Sequence, residues 1–174
     1  MVFDFFLWGN KIGDLTATRV VKADSSEFFT IHSRSVAKIL WINRENETTL
    51  EVTYKNGILL SSSHKEYETG KLSKWTIINK NGSSYELQTE KARRSFTELP
   101  VFSIVSAYFK TALMPSRIFD EALGEFYSFR KTDTNVWEYK TSEGSRYVYI
   151  YQNGKLSEME FHVSIATVKA KRRN

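Results

Sequence analysis

The chain has no cysteine. That excludes disulfides, thiol catalysis and cysteine-ligated zinc. The lack fits an exported bacterial protein without a disulfide framework, and it fits many cytosolic proteins as well. Two prolines and eight glycines in 174 residues are too few for a disordered chain. No apolar run approaches the roughly 18 residues of a transmembrane helix. Histidine is scarce too. His32, His64 and His162 stand far apart, without His-x-x-x-His or His-Glu-x-x-His spacing. Zinc chemistry is therefore not expected, and the three read as strand-surface or hydrogen-bonded histidines. No Gly-x-Ser-x-Gly elbow and no glycine-rich phosphate loop occur. Ser61-Ser-Ser-His64 looks suggestive, but on a strand Ser62 and His64 merely share a face.

Aromatic residues are what the chain has in plenty. They make up 14%, beside 41% apolar and 26% charged residues, and with Thr, Val and Ile they favour strands. The length suits one domain over 1–174 with a sizeable core. The 25 basic and 20 acidic side chains leave a formal charge of +5, part of it in Lys169-Ala-Lys-Arg-Arg173. That stretch reads as a solvated end. No basic patch recurs at a spacing that tracks phosphates, so nucleic acid is not an expected partner.

Periodicity gives the elements. Met159, Phe161, Val163 and Ile165 fall on one side of an alternating stretch, and Glu160, His162 and Ser164 on the other. Leu50, Val52 and Tyr54 alternate likewise, and Tyr147, Tyr149 and Tyr151 share a face. Turns are expected at Gly9-Asn10, Asn56-Gly57, Thr69-Gly70, Asn81-Gly82, Glu143-Gly144 and Asn153-Gly154. Asn-Gly suits a two-residue hairpin, whose central residues both need positive φ. The predicted strands are 2–8, 11–22, 27–34, 36–43, 48–55, 58–67, 71–79, 84–91, 118–131, 135–141, 146–152 and 155–168. The fold class is all-β: an antiparallel meander forming a barrel or strongly curved half-barrel. One short helix interrupts it near residues 100–113. Val101, Ile104, Val105, Tyr108, Phe109 and Ala112 are spaced for one helical face, with Pro100 in the first turn and Pro115 beyond the end.

Carboxylates are candidates for acid–base work. Asp120, Glu121 and Glu125 cluster, and Glu158 and Glu160 share a strand face; a solvated face or loop explains both groups. Asp4 interrupts Phe3, Phe5 and Phe6 and should point to solvent. An outer-membrane barrel has the right strand count, but Lys and Glu alternate where lipid would lie and the chain ends in Lys-Arg-Arg-Asn.

Phe6-Leu-Trp-Gly-Asn-Lys-Ile-Gly-Asp-Leu-Thr-Ala-Thr-Arg19, Tyr54-Lys-Asn-Gly-Ile-Leu59, Pro100-Val-Phe-Ser-Ile-Val-Ser-Ala-Tyr-Phe109, Phe119-Asp-Glu-Ala-Leu-Gly-Glu-Phe126 and Tyr149-Ile-Tyr-Gln-Asn-Gly-Lys-Leu156 follow one another along the chain. In that order they resemble an uncharacterised family of exported bacterial proteins, a domain of unknown function. The resemblance implies a fold and an exported location, in the periplasm or cell envelope after removal of a leader not present in this chain; a cytoplasmic location stays open. Its outline is similar to periplasmic half-barrels that carry lipids or lipoproteins. It implies no reaction and no cofactor.

The expected function is accordingly non-enzymatic: a cell-envelope protein holding an apolar or lipid-like ligand. Trp41, Trp75, Tyr108, Phe109 and Trp137 are the candidates for lining or covering it. The alternative is a structural or protein-interaction module with a filled core and no small-molecule ligand.

Overall fold

The computed structural model describes residues 1–39, 42–109, 115–163 and 166–173. Eight strands come first: β1 (Val2–Leu7), β2 (Asn10–Val21), β3 (Ser26–Ile39), β4 (Ile42–Lys55), β5 (Ile58–Glu68), β6 (Lys71–Asn81), β7 (Ser84–Thr89) and β8 (Arg93–Phe96). The short helix α1 (Ile104–Phe109) and the hairpin β9 (Arg117–Asp120) and β10 (Glu125–Ser128) follow. Five more strands end the chain: β11 (Arg130–Asp133), β12 (Val136–Lys140), β13 (Arg146–Gln152), β14 (Lys155–Val163) and β15 (Ala166–Arg172).

Thirteen strands form one antiparallel sheet in the order β11-β12-β13-β14-β15-β1-β2-β3-β4-β5-β6-β7-β8. β15 lies beside β1, so both chain ends sit in mid-sheet. The edges are β8 and β11, the two strands that flank the central segment. Among the described residues these edges do not pair. The result is a curved half-barrel, with α1 and the β9–β10 hairpin held against its concave side.

Alternation builds that shape. Phe3, Phe5 and Leu7 of β1 are buried, as are Leu15 and Ala17 of β2, Phe29 and Ile31 of β3, and Leu50, Val52 and Tyr54 of β4. The opposite face carries cross-strand ion pairs: Arg34 with Glu45, Arg19 with Glu27, Lys169 with Glu160, and Arg173 with Asp4 and Asp14. Asp4 points outward as expected. Hydrogen bonds from Arg173 and then Lys11 hold its carboxyl down to about 2. A face built this way suits water; a barrel wall in lipid needs an apolar belt there.

Several boundaries differ from the sequence reading. β3 runs unbroken through Ser35, so 27–34 and 36–43 are not two strands. The stretch 118–131 holds β9, β10 and the start of β11, because Asp120 and Gly124 turn the chain. The stretch 155–168 holds β14 and part of β15, and β8 was not foreseen. The helix is six residues long, and Val101 ahead of it is 66% exposed; residues 110–113 of its predicted span lie outside the described residues. Lys169-Ala-Lys-Arg-Arg173 is not a solvated tail. Its first four residues end β15, a central strand, and Arg173 follows directly: Lys169 pairs with Glu158 and Glu160, and Arg173 with Asp4 and Asp14.

Asn56-Gly57 and Asn153-Gly154 are hairpin turns with positive φ at both residues. The first hairpin turns at Trp8-Gly9, one residue earlier than expected, and β6–β7 turns at Gly82-Ser83. Thr69 sits where two of the other hairpins have asparagine, Asn56 and Asn153, with φ 50°. A β-branched residue is strained there. Thr69→Asn is expected to stabilise the fold by about 0.5–1 kcal/mol, seen as a higher urea midpoint with an unchanged slope.

Candidate functional site

The concave side has two unlike halves. Against β11–β15 it is packed with rings. Phe129 contacts Phe102 (5.9 Å between centroids), Trp137 (5.3 Å) and Tyr149 (5.8 Å). Tyr139 stacks on Tyr127 (5.6 Å) and Tyr147 (4.7 Å), and Phe161 links Tyr147 to Phe5. Such ring pairs add about 0.5–1.5 kcal/mol each beyond area burial. On α1, Tyr108 meets Phe3 edge-on (6.0 Å), and Phe109 meets Phe29 (5.5 Å). The Tyr151 hydroxyl donates to the Ala107 carbonyl (2.7 Å) and ties β13 to the helix.

Against β4–β7 lie the buried polar groups, set among Leu50, Val52, Leu59, Ile78 and Leu87. Ser62 and His64 of β5, Thr76 of β6 and Tyr85 of β7 are buried, and so are Ser103, Ser106, Asp120 and Glu121 from the central segment. The Tyr54 hydroxyl donates to Ser103 Oγ (2.8 Å). Thr76 Oγ1 donates to the Ala122 carbonyl (2.6 Å), joining the sheet to the β9–β10 turn.

Asp120 organises that turn. Its Oδ1 accepts from the backbone of Ala122 (2.9 Å) and Leu123 (3.1 Å), and its Oδ2 accepts from the Tyr139 hydroxyl (3.1 Å). Burial pushes its carboxyl up to about 6, against the pull of those hydrogen bonds. Glu121 is fully buried. Its Oε2 accepts from the Ile104 backbone N–H (3.1 Å) and so caps α1 from outside the helix. Burial pushes this carboxyl up to about 8; Ser103 opposes the rise and the charge of Asp120 adds to it. Near neutral pH, then, Glu121 is mostly protonated. His64 moves the other way, down to about 4, because burial, then the charge of Lys74, disfavours the cation.

Among the described residues, five buried polar atoms have no hydrogen-bond partner: Ser62 Oγ, His64 Nδ1, Tyr85 Oη, Ser106 Oγ and Glu121 Oε1. They come from β5, β7, α1 and the turn after β9; α1 itself packs against β3, β9 and β14. Ser103 directly precedes α1, and Ser106 lies in its first turn. The Tyr54 hydroxyl also comes within hydrogen-bonding reach of Ser106 and within electrostatic reach of Glu121 and Tyr85.

Of the residues singled out from sequence, Tyr108 and Phe109 adjoin on α1, 6.5 Å apart. Trp137 lies in the ring-packed half. Trp75 is half-buried and out of phase with the inward Thr76 and Ile78, so it stands on the other face of β6. Trp41 lies outside the described residues. The structure thus brings together two of the five. Asp120 and Glu121 are not on a solvated face: the chain turns inside the half-barrel and buries both. Ser62 and His64 do share a face, and it is the buried one. Glu121 was singled out only within a solvated carboxylate cluster, and Ser103 and Ser106 were missed. The available signal was two carboxylates inside the apolar run Ile118–Leu123, since strand alternation alone must turn one of them inward. Among the described residues, no group of three His, Cys, Asp or Glu could hold a metal, and no helix is long and apolar enough to cross a membrane.

A curved, open antiparallel sheet with its own central segment packed against its concave side defines a β-barrel-like domain. The chain belongs to the family described as Domain of unknown function (DUF6134), which matches residues 3–173. Its fold is similar to a beta-barrel-like protein of domain of unknown function DUF1849 from Brucella abortus. The TM-score is 0.58, over 98% of this chain and 93% of that one, at 11% identity. That likeness speaks for the fold alone. A DUF1089 family protein from Pseudomonas aeruginosa gives a TM-score of 0.38 at 10% identity, over 82% of this chain and 86% of that one. No curated protein matches the sequence.

Proposed function

We propose that the domain is a non-enzymatic binding protein of the cell envelope. It takes an apolar or lipid-like ligand into the polar half of the concave side, with the rings of Tyr108 and Phe109 beside the ligand's apolar part. The observation that carries this reading is the set of five unpartnered buried atoms. Native interiors give nearly all such atoms a partner, and a bare one costs about 1–3 kcal/mol. A ligand with one polar end supplies the missing partners, and α1 then acts as its cover.

Mass spectrometry of an organic extract of the natively purified protein, beside a mock purification, tests it. A stoichiometric fatty acid, lipid or isoprenoid is expected. A clean extract, followed by failure to bind added lipids, overturns the reading. Fractionation of the native host tests the envelope location; a purely cytoplasmic pool overturns that part.

The ring-packed half favours a second reading, an interaction module with a filled core. Partners would then dock on the outer face or on the open edges β8 and β11. A clean extract combined with co-purification of a defined protein partner would favour it.

A further inference from the structure

We infer that the groove at the end of β15 binds a phosphate group through Arg172, Lys155 and Lys171. The group is carried by a free phosphomonoester or by a lipid headgroup. The groove lies on the rim of the half-barrel, apart from the buried polar groups, so this inference does not depend on the ligand reading above.

Strand lengths make the groove. β15 ends at Arg172, level with Phe3 of β1. Its other neighbour, β14, pairs Glu158 with Lys171 and runs on past the end of β15 as far as Lys155 and the Asn153-Gly154 turn. The open groove there has a volume of about 580 Å³, and Lys155, Glu158, Lys171, Arg172 and Arg173 all line it. That is an ordinary size for a small-ligand site.

Four of those five side chains are cations. Arg173 is held by Asp4 (2.5 Å) and Asp14 (3.1 Å). Glu158, the one carboxylate in the lining, lies 3.7 Å from Lys169 and 4.0 Å from Lys171. Lys155 and Arg172 have no carboxylate partner among the described residues. Burial sets Arg172 apart. Among the described side chains three Lys or Arg are half-buried, and two of them are satisfied: Lys80 donates to the Gly82 carbonyl and Arg146 to Glu138. Arg172 has neither a hydrogen bond nor an ion pair. Alternation sets it on the side of Ala170, beside the buried Phe3, so its stem is covered while its head reaches the groove.

A guanidinium carries five N–H donors in a planar fork, and an ammonium carries three. The fork takes two oxygens of one phosphate, and the lysines add charge and further donors. A phosphate monoester offers these cations more acceptor oxygens and more charge than a carboxylate does. The amides of Gln152 and Asn153 on the groove wall add neutral donors. Glu158 opposes an incoming anion, but Lys169 from outside the lining already offsets its charge.

Heteronuclear NMR of the whole protein, titrated at neutral pH with glycerol 3-phosphate and separately with acetate, tests the assignment. Shifts are expected to cluster at Asn153, Lys155 and Arg172, and glycerol 3-phosphate should bind at least about fivefold more tightly than acetate. Arg172→Gln should weaken it about tenfold. Lys131→Gln, on the edge strand β11, should change nothing. Should Arg172→Gln fail to fold, Lys155→Gln at an exposed position should weaken binding about threefold. Co-sedimentation with phosphatidylcholine vesicles, with and without phosphatidic acid, separates the two sources. Binding only to vesicles that hold phosphatidic acid, lost in Arg172→Gln, assigns a lipid headgroup. Glycerol 3-phosphate binding without vesicle binding assigns a free phosphomonoester. Acetate binding as tightly as glycerol 3-phosphate overturns the inference. So do shifts spread evenly over the surface lysines, Lys131→Gln weakening binding as much as Arg172→Gln, vesicle binding that Arg172→Gln leaves intact, or no binding in either assay.

Discussion

Replacing Gly13 with alanine is expected to cost about 3 kcal/mol or more, a large share of the roughly 5–15 kcal/mol of a typical domain. Gly13 lies mid-strand in β2, paired with Phe5 on one side and Ser35 on the other. A Cβ there would fall on the Arg34 carbonyl oxygen and within 2.7 Å of Ser35 Cα. Both neighbours are backbone, so no side chain can rotate away. β2 and β3 would have to separate, losing ladder hydrogen bonds worth about 1 kcal/mol each and loosening the buried Leu15, Ala17 and Ile31. Urea denaturation of the variant beside Gly57→Ala checks it. A methyl group added at Gly57 would meet nothing within 4 Å, but φ there is +77°. That substitution should therefore cost only the strain of a left-handed alanine, about 1–2 kcal/mol. Equal, small losses at both positions would show that the strands move apart freely.

The second large effect is a fall in stability with rising pH. The folded state holds the Glu121 proton until about pH 8, whereas an unfolded glutamate releases it near its ordinary value of about 4.3. The native chain thus binds more protons in between. The contribution is fully present below the unfolded value and is lost as pH rises to 8. Asp120, raised to about 6, acts in the same direction over a lower window. His64, lowered to about 4, acts oppositely: its contribution is present above about 6.5 and is lost as pH falls towards 4. These effects overlap between pH 4 and 6.5. From 6.5 to 8 Glu121 acts without them, and the expected slope is about −1.4 kcal/mol per pH unit, levelling above 8. Glu121→Gln should flatten that limb. An unchanged slope in this variant would mean that Glu121 is solvated in the native state.

Much of the architecture was legible because its causes are local. Asn56-Gly57 and Asn153-Gly154 specify tight hairpins by dihedral preference alone, and Leu50, Val52 and Tyr54 declare an inward face by alternation. What escaped depends on contacts distant in sequence. Ser35 looked like a break because polar residues surround it, yet β2 and β4 hold it in a continuous strand. Asp120 and Glu121 looked solvated because carboxylates usually are. Their burial depends on Thr76, Tyr139 and the backbone of Ile104, which no short window contains. The basic stretch at Lys169–Arg173 hid a central strand, since its partners Asp4 and Asp14 lie more than 150 residues away.

The neighbourhood of β1 and β15 also bears on biosynthesis. Of these strands β1 emerges first from the ribosome and β15 last, and each is the other's partner. Until β15 arrives, β1 offers an open row of N–H and C=O groups, the kind of edge along which nascent chains join one another. The outward charges of Asp4 and its neighbour Lys11 stand at that seam before its final strand arrives, where they discourage premature pairing with another chain.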